Sequence, residues 1–122
     1  MPVDRAGLGR RAEDLAAADL EARGAQVLLR NWRRRCGELD LVAREGSTLV
    51  IVEVRMRSGD EYGGAAASVD RAKQRRIVLA TRQLLQQHRE LARFPVRFDV
   101  AVVSPGTPAW RVQWIRHAFE TR

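Results

Sequence analysis

Glu38-Leu39-Asp40-Leu41-Val42, a turn at Arg44-Glu45-Gly46-Ser47, and Val50-Ile51-Val52-Glu53-Val54-Arg55 form the stretch that decides how this chain folds. Polar and apolar residues alternate on both flanks, the period of a strand with one buried face, so the two runs predict an antiparallel hairpin. A hairpin symmetric about the Gly46/Ser47 junction sets Asp40 opposite Glu53, and Glu38 opposite Arg55 on the same face. Like charges facing each other across a ladder destabilise it. The two carboxylates therefore call for a partner, and a divalent cation is the obvious one. Mg2+ binds through one or two carboxylates together with water and substrate phosphate. The competing reading is a solvated sheet face whose charges pair diagonally, at about 0 to 1 kcal/mol per pair. The neighbours weigh against it, because Leu39, Leu41, Val42, Leu49 to Val52 and Val54 are all apolar. A strand apolar on both faces is usually central and covered by helices, where a carboxylate without a ligand is costly.

The rest of the chain supplies a consistent order of elements. A helix is predicted from about Arg5 to Arg23, with Leu8, Ala12, Leu15, Ala16 and Leu20 as its apolar stripe and Gly24 as its stop. Ala25 to Arg30 reads as a first strand, followed by the acidic hairpin and a glycine-rich loop at 58–64; the segment 60–66 is long enough to border the site, with Tyr62 expected to touch a sugar or base. A second helix is predicted from about Asp70 to Ala92, capped by Ser68 or Asp70 and burying Ile77, Ala80, Leu84 and Leu91. Val96 to Val103 and Trp110 to Ile115 complete the set as strands. The order α-β-β-β-α-β-β implies an α/β fold with a mixed sheet flanked by helices.

At 122 residues the chain is sized for one domain, 1-122, and no linker, repeat or low-complexity tract divides it. The formal charge of +7 is spread along the chain, which nominates nucleic acid as partner. Of the 22 basic residues 21 are Arg, a bias that genome base composition also produces, but the net positive excess stands. A lone Cys36 leaves no internal disulfide and fits a reducing compartment, so the expected location is cytoplasmic. No run approaches the roughly 18 to 20 apolar residues of a membrane span. His88 and His117 lack zinc-site spacing, and Trp110, Trp114 and Phe119 read as packing of the last strand. Neither a phosphate-cradling glycine loop nor a nucleophile elbow occurs, which sets aside nucleotide-dependent and serine-hydrolase chemistry.

Asn31-Trp32-Arg33, Gly37-Glu38-Leu39-Asp40-Leu41-Val42, Val52-Glu53-Val54-Arg55-Met56-Arg57, Lys73 and Arg97-Phe98-Asp99-Val100 fall as they do in the YraN-like family of small bacterial proteins, which the chain resembles over nearly its whole length. That family looks like a branch of the restriction-endonuclease-like nuclease superfamily, close to archaeal Holliday-junction resolvases. The resemblance implies a nuclease core with an Asp and a Glu-x-Lys on adjacent strands and a further Glu from the first helix. By position Asp40 and Glu53 are the metal carboxylates and Glu13 the helical Glu. This sequence departs from the pattern at Arg55, where the superfamily has Lys. Arg keeps the charge but, with a pKa above about 12, gives up no proton.

The expectation is a single nuclease-like domain that hydrolyses phosphodiesters in structured or branched DNA with Mg2+ or Mn2+. Asp40 and Glu53 hold the metal, Arg55 steadies the phosphate and Glu38 orients the site. Arg71, Lys73, Arg75 and Arg76 at the start of the second helix bind nucleic acid. Lys73, the one Lys in the chain, reads either as a supplier of the missing ammonium or as one more surface cation. The alternative function is a nucleic-acid-binding module with a degenerate site, and the resolvase resemblance makes a homodimer reasonable.

Overall fold

Two helices cover the faces of one five-stranded sheet in a computed structural model that describes residues 5–57, 69–106 and 108–121. The elements are α1 (Arg5–Ala22), β1 (Gln26–Arg34), β2 (Gly37–Glu45), β3 (Thr48–Met56), α2 (Arg71–Gln87), a short 3-10 turn at Arg89–Leu91, β4 (Val96–Ser104) and β5 (Arg111–Phe119). This is the α/β, mixed-sheet order read from the sequence. Strands lie side by side in chain order. All pairs are antiparallel except β3 with β4. A parallel pair needs a crossover connection, and α2 provides it.

Each helix buries one stripe. Ala12, Ala16, Ala17 and Leu20 of α1 meet Leu41, Ala43, Val50, Val52, Ala101 and Val103. The small side chains of α1 let its backbone lie close to the sheet. Gly24 ends the helix at φ 93°, and the Ala25 N–H closes back on the Leu20 carbonyl at 2.9 Å, the left-handed stop that glycine adopts without a Cβ penalty. On the other face Ile77, Ala80 and Leu84 of α2 meet Leu39, Val42, Ile51, Phe98, Val100 and Val102. Asp70 caps α2, accepting from the Lys73 N–H at 2.8 Å. Ser68, the other cap candidate, and Tyr62 with its loop lie outside the described residues. The helix ends at Gln87, short of the expected Ala92, because His88 turns to φ −123°, ψ 75° and the chain continues as the 3-10 turn.

The hairpin register is the one its symmetry predicts, from Leu41 opposite Val52 to Glu45 opposite Thr48. Beyond Leu41 the ladder gives way. Leu39 belongs to the core under α2 and Leu41 to the core under α1, although residues two apart on a regular strand share a face. The switch falls at Asp40. Opposite it on β1 stands Asn31 with φ 52°, and the β1–β2 pairing passes from Arg30–Leu41 to Trp32–Leu39 without that pair. Asn is among the few residues that tolerate this backbone region.

Candidate metal centre and its basic surroundings

The break in β2 frees the Asp40 side chain from regular pairing and brings it beside Glu53. One Asp40 oxygen accepts the Val54 N–H at 2.8 Å, and the Glu53 carboxyl is its electrostatic neighbour. Glu53 is buried, at 7% exposure. Burial first, and then the neighbouring Glu53, push the Asp40 carboxyl up to about 8, against the pull of the Val54 N–H and Lys73.

Two cations face the pair. Lys73 Nζ lies 3.4 Å and Arg55 Nη2 3.8 Å from Glu53 Oε2. Neither completes a hydrogen bond to that oxygen, which is buried and without a donor among the described residues. Arg55 Nε is buried and likewise without an acceptor among them. Lys73 reaches the pair because the second turn of α2 sits directly on the start of β2. A Cβ on Gly37 would stand 2.6 Å from the Arg76 carbonyl oxygen, so only glycine permits this approach.

Asp40, Glu53, Arg55 and Lys73 are thus brought together, and two other expected members are not. Glu38 pairs in register with Arg33 instead of Arg55, and its carboxylate lies 3.4 Å from Arg33 Nε. The face switch explains the difference, because with Leu39 under α2 ordinary alternation directs Glu38 to the other side of the sheet. Glu13 is held by Asn31, whose Nδ2 donates to it at 2.9 Å. Among the described residues no group of three or more His, Cys, Asp or Glu converges as a metal cage. The basic cluster also divides. Lys73 turns to the acid pair, Arg71 and Arg75 line a groove between α2 and the end of β5, and Arg76 is exposed above Gly37.

A second polar cluster escaped the sequence reading. Asp99, fully buried, accepts from Arg97 Nε at 2.9 Å and Nη2 at 3.0 Å and from the His117 N–H at 3.0 Å. Arg97 also donates to Glu45 at 2.8 Å, and Arg23 from the end of α1 donates to the other Glu45 oxygen at 2.8 Å. The hydrogen bond from Arg97 holds the Glu45 carboxyl below its ordinary value. His117 has φ 53° and lies where the β4–β5 register shifts, between Phe98 and Val100. Asp99 therefore ties down the bulge that carries β5 on to Phe119 instead of ending it at Ile115. The alternating motif around Asp99 was the available signal, although its partners come from three other elements.

The class to which this architecture and sequence belong is given by comparison. The family described as "Uncharacterised protein family UPF0102" matches residues 12–103, and the chain is a member of it. A UPF0102 protein of Methylococcus capsulatus is 49% identical over 114 residues, covering 93% of this chain and 91% of the relative. One from Stutzerimonas stutzeri is 46% identical over 113 residues, covering 93% and 94%, and one from Xanthomonas oryzae pv. oryzae is 47% identical over 119 residues, covering 98% and 96%. Among the described residues no helix is long and apolar enough to cross a membrane.

Proposed function

We propose that the protein is a metal-dependent phosphodiesterase acting on structured or branched DNA. One observation carries the reading: Asp40 stands beside the buried Glu53, whose Oε2 is left without a donor among the described residues. Buried polar groups are nearly always satisfied, and an exception asks for an explanation such as an ion. Two carboxylates, Asp40 on β2 and Glu53 on β3, facing Lys73 in the first turn of α2, fit the hard oxygen ligand set of Mg2+ or Mn2+. Such an ion supplies charge neutralisation at phosphate and an activated water. Asp40 and Glu53 would hold it, with the Val54 N–H fixing the Asp40 carboxylate. Lys73 is placed to supply the ammonium that Arg55 cannot, since it stands nearer to Glu53 Oε2 than Arg55 does. Arg55 then meets the phosphate as a fixed charge.

The test is cleavage of branched, flapped and single-stranded DNA with Mn2+ or Mg2+. Wild type should cut, and Asp40→Ala and Glu53→Ala should not. Lys73→Ala should silence the wild type, and Arg55→Lys should raise activity and rescue Lys73→Ala. The second reading, a nucleic-acid-binding module with a degenerate site, draws on Arg55 and on the separation of Glu13 from the pair. An Arg55→Lys protein that is folded, binds DNA and Mn2+, and cuts none of these substrates would establish that reading instead.

A further inference from the structure

We propose that the groove between α2 and the end of β5 seats a single-stranded nucleic-acid segment, taking its phosphates on Arg71, Arg75 and Arg82 and its bases on Leu79 and His117. This deepens the proposed function by naming the form of strand bound. It rests on the nucleic-acid part of that reading, independently of cleavage.

The groove has a volume of about 710 Å³, within the range of sites that bind small ligands or a few residues of a polymer. Arg71, Arg75, Leu79 and Arg82 follow one another along a single stripe of α2, as positions four, eight and eleven residues apart do on a helix. Eleven residues of helix span roughly 16 Å. That is a tract, longer than one small anion needs. None of the three arginines ion-pairs with a described residue, so their charge is available to phosphate.

The apolar part of the groove decides which form of nucleic acid fits. Leu79 is 48% exposed, and among the described residues it is the exposed large hydrophobic side chain. Across the groove the exposed His117 ring projects from a point fixed by the hydrogen bond of its N–H to Asp99, with its Nε2 edge 2.9 Å from a Glu120 oxygen on the groove wall and its face open to a base, next to Phe119, which is stacked on Phe98 at 4.9 Å. A duplex offers phosphates outward but keeps its base faces stacked on one another. An unpaired strand presents both, and a basic groove with apolar or aromatic platforms is how proteins hold it. An acidic protein segment would use the arginines and leave Leu79 and His117 without a matching face. Lys73 lies between Arg71 and Arg75 in sequence and faces the acid pair, so a strand leaving the groove meets that pair around the first turn of α2.

The experiment measures fluorescence anisotropy of a labelled twelve-residue oligothymidylate and of a hairpin duplex of equal charge, in EDTA at low salt. Wild type, Arg82→Glu, Leu79→Ser and His117→Ala are compared after circular dichroism confirms the fold. Arg82→Glu should weaken both probes at least about tenfold, because it reverses a phosphate contact. Leu79→Ser and His117→Ala should weaken the oligothymidylate roughly fivefold or more and leave the duplex within twofold, as loss of a stacking platform does. Equal effects of Leu79→Ser on both probes, no effect of Arg82→Glu, or equal displacement of the probe by polyglutamate would overturn the inference. If these variants bind like wild type while wild type cuts branched DNA with Mn2+, the groove assignment fails and the proposed function stands. If the groove behaves as described and nothing is cut, the reverse holds.

Discussion

Asp99 and Glu53 are both buried carboxylates on the paired central strands β4 and β3, yet their surroundings treat them in opposite ways. Asp99 accepts three hydrogen bonds, from Arg97 twice and from the His117 N–H. Glu53 has a second carboxyl beside it, two cations at 3.4 and 3.8 Å, and an oxygen with no donor among the described residues. The first arrangement is complete within the protein. The second is not. The difference separates a carboxylate that holds elements together from one positioned for something outside the chain, and it predicts that the two respond differently to loss of charge.

The largest expected effect is on chemistry. Glu53→Gln should lower metal-dependent cleavage by at least about a thousandfold, the scale of several kcal/mol of lost charge stabilisation. Its urea-unfolding stability should stay within about 1 kcal/mol of wild type or rise, because Gln keeps the volume and removes a buried charge whose Oε2 has no donor among the described residues. A large loss of stability would show that Glu53 is structural after all. Asp99→Ala should do the reverse, lowering stability by about 3 to 5 kcal/mol by stranding Arg97 and the His117 N–H. Urea denaturation measures it, and a loss under 1 kcal/mol would erase the contrast.

Gly37→Ala comes next. Its Cβ would press on the Arg76 carbonyl at 2.6 Å, so α2 must shift, at about 1 to 3 kcal/mol, and Lys73 should lose its place at Glu53. A stability loss without any change in the activity ratio between Arg55→Lys and wild type would show that Lys73 does not depend on this contact.

The smallest effect is the pH dependence of the metal-free protein. Asp40 keeps its proton up to about 8 when folded and releases it near 3.8 when unfolded, so the native state binds more protons between those values. Its contribution to stability is therefore full below about pH 4 and declines as pH rises toward 8. Glu45, held below its ordinary 4.5, works in the opposite sense, its contribution being present above that value and lost as pH falls through the folded value. Asp40→Asn should flatten the decline between pH 5 and 8 in a series of thermal melts, and a slope unchanged by that substitution would show that Asp40 is not the titrating group.

The hairpin was legible because alternation and a glycine turn fix a register through local rules, and Leu41–Val52 to Glu45–Thr48 pair accordingly. The fate of Glu38 was not. A face switch at one residue leaves the alternating pattern intact while changing which side the next residue meets, and its one local trace is Asn31 in the left-handed region. The meeting of Lys73 with Glu53 depends on how α2 is rotated on the sheet, which periodicity constrains only to a face, although Gly37 marked the contact. Asp99 looked like one more polar residue on an alternating strand. Arg97 lies two residues from it on the same strand, whereas the His117 N–H, Glu45 and Arg23 that complete the cluster come to it only through tertiary structure.

The clamp of Arg23, Glu45, Arg97, Asp99 and the His117 N–H joins the end of α1, the hairpin turn, the start of β4 and the bulge of β5. Every one of these segments must be in place before the full cluster closes, which predicts that it forms late on the folding route. The consequence is kinetic. Weakening the clamp should leave the refolding rate nearly unchanged and accelerate unfolding, making this cluster a setting for the lifetime of the native protein.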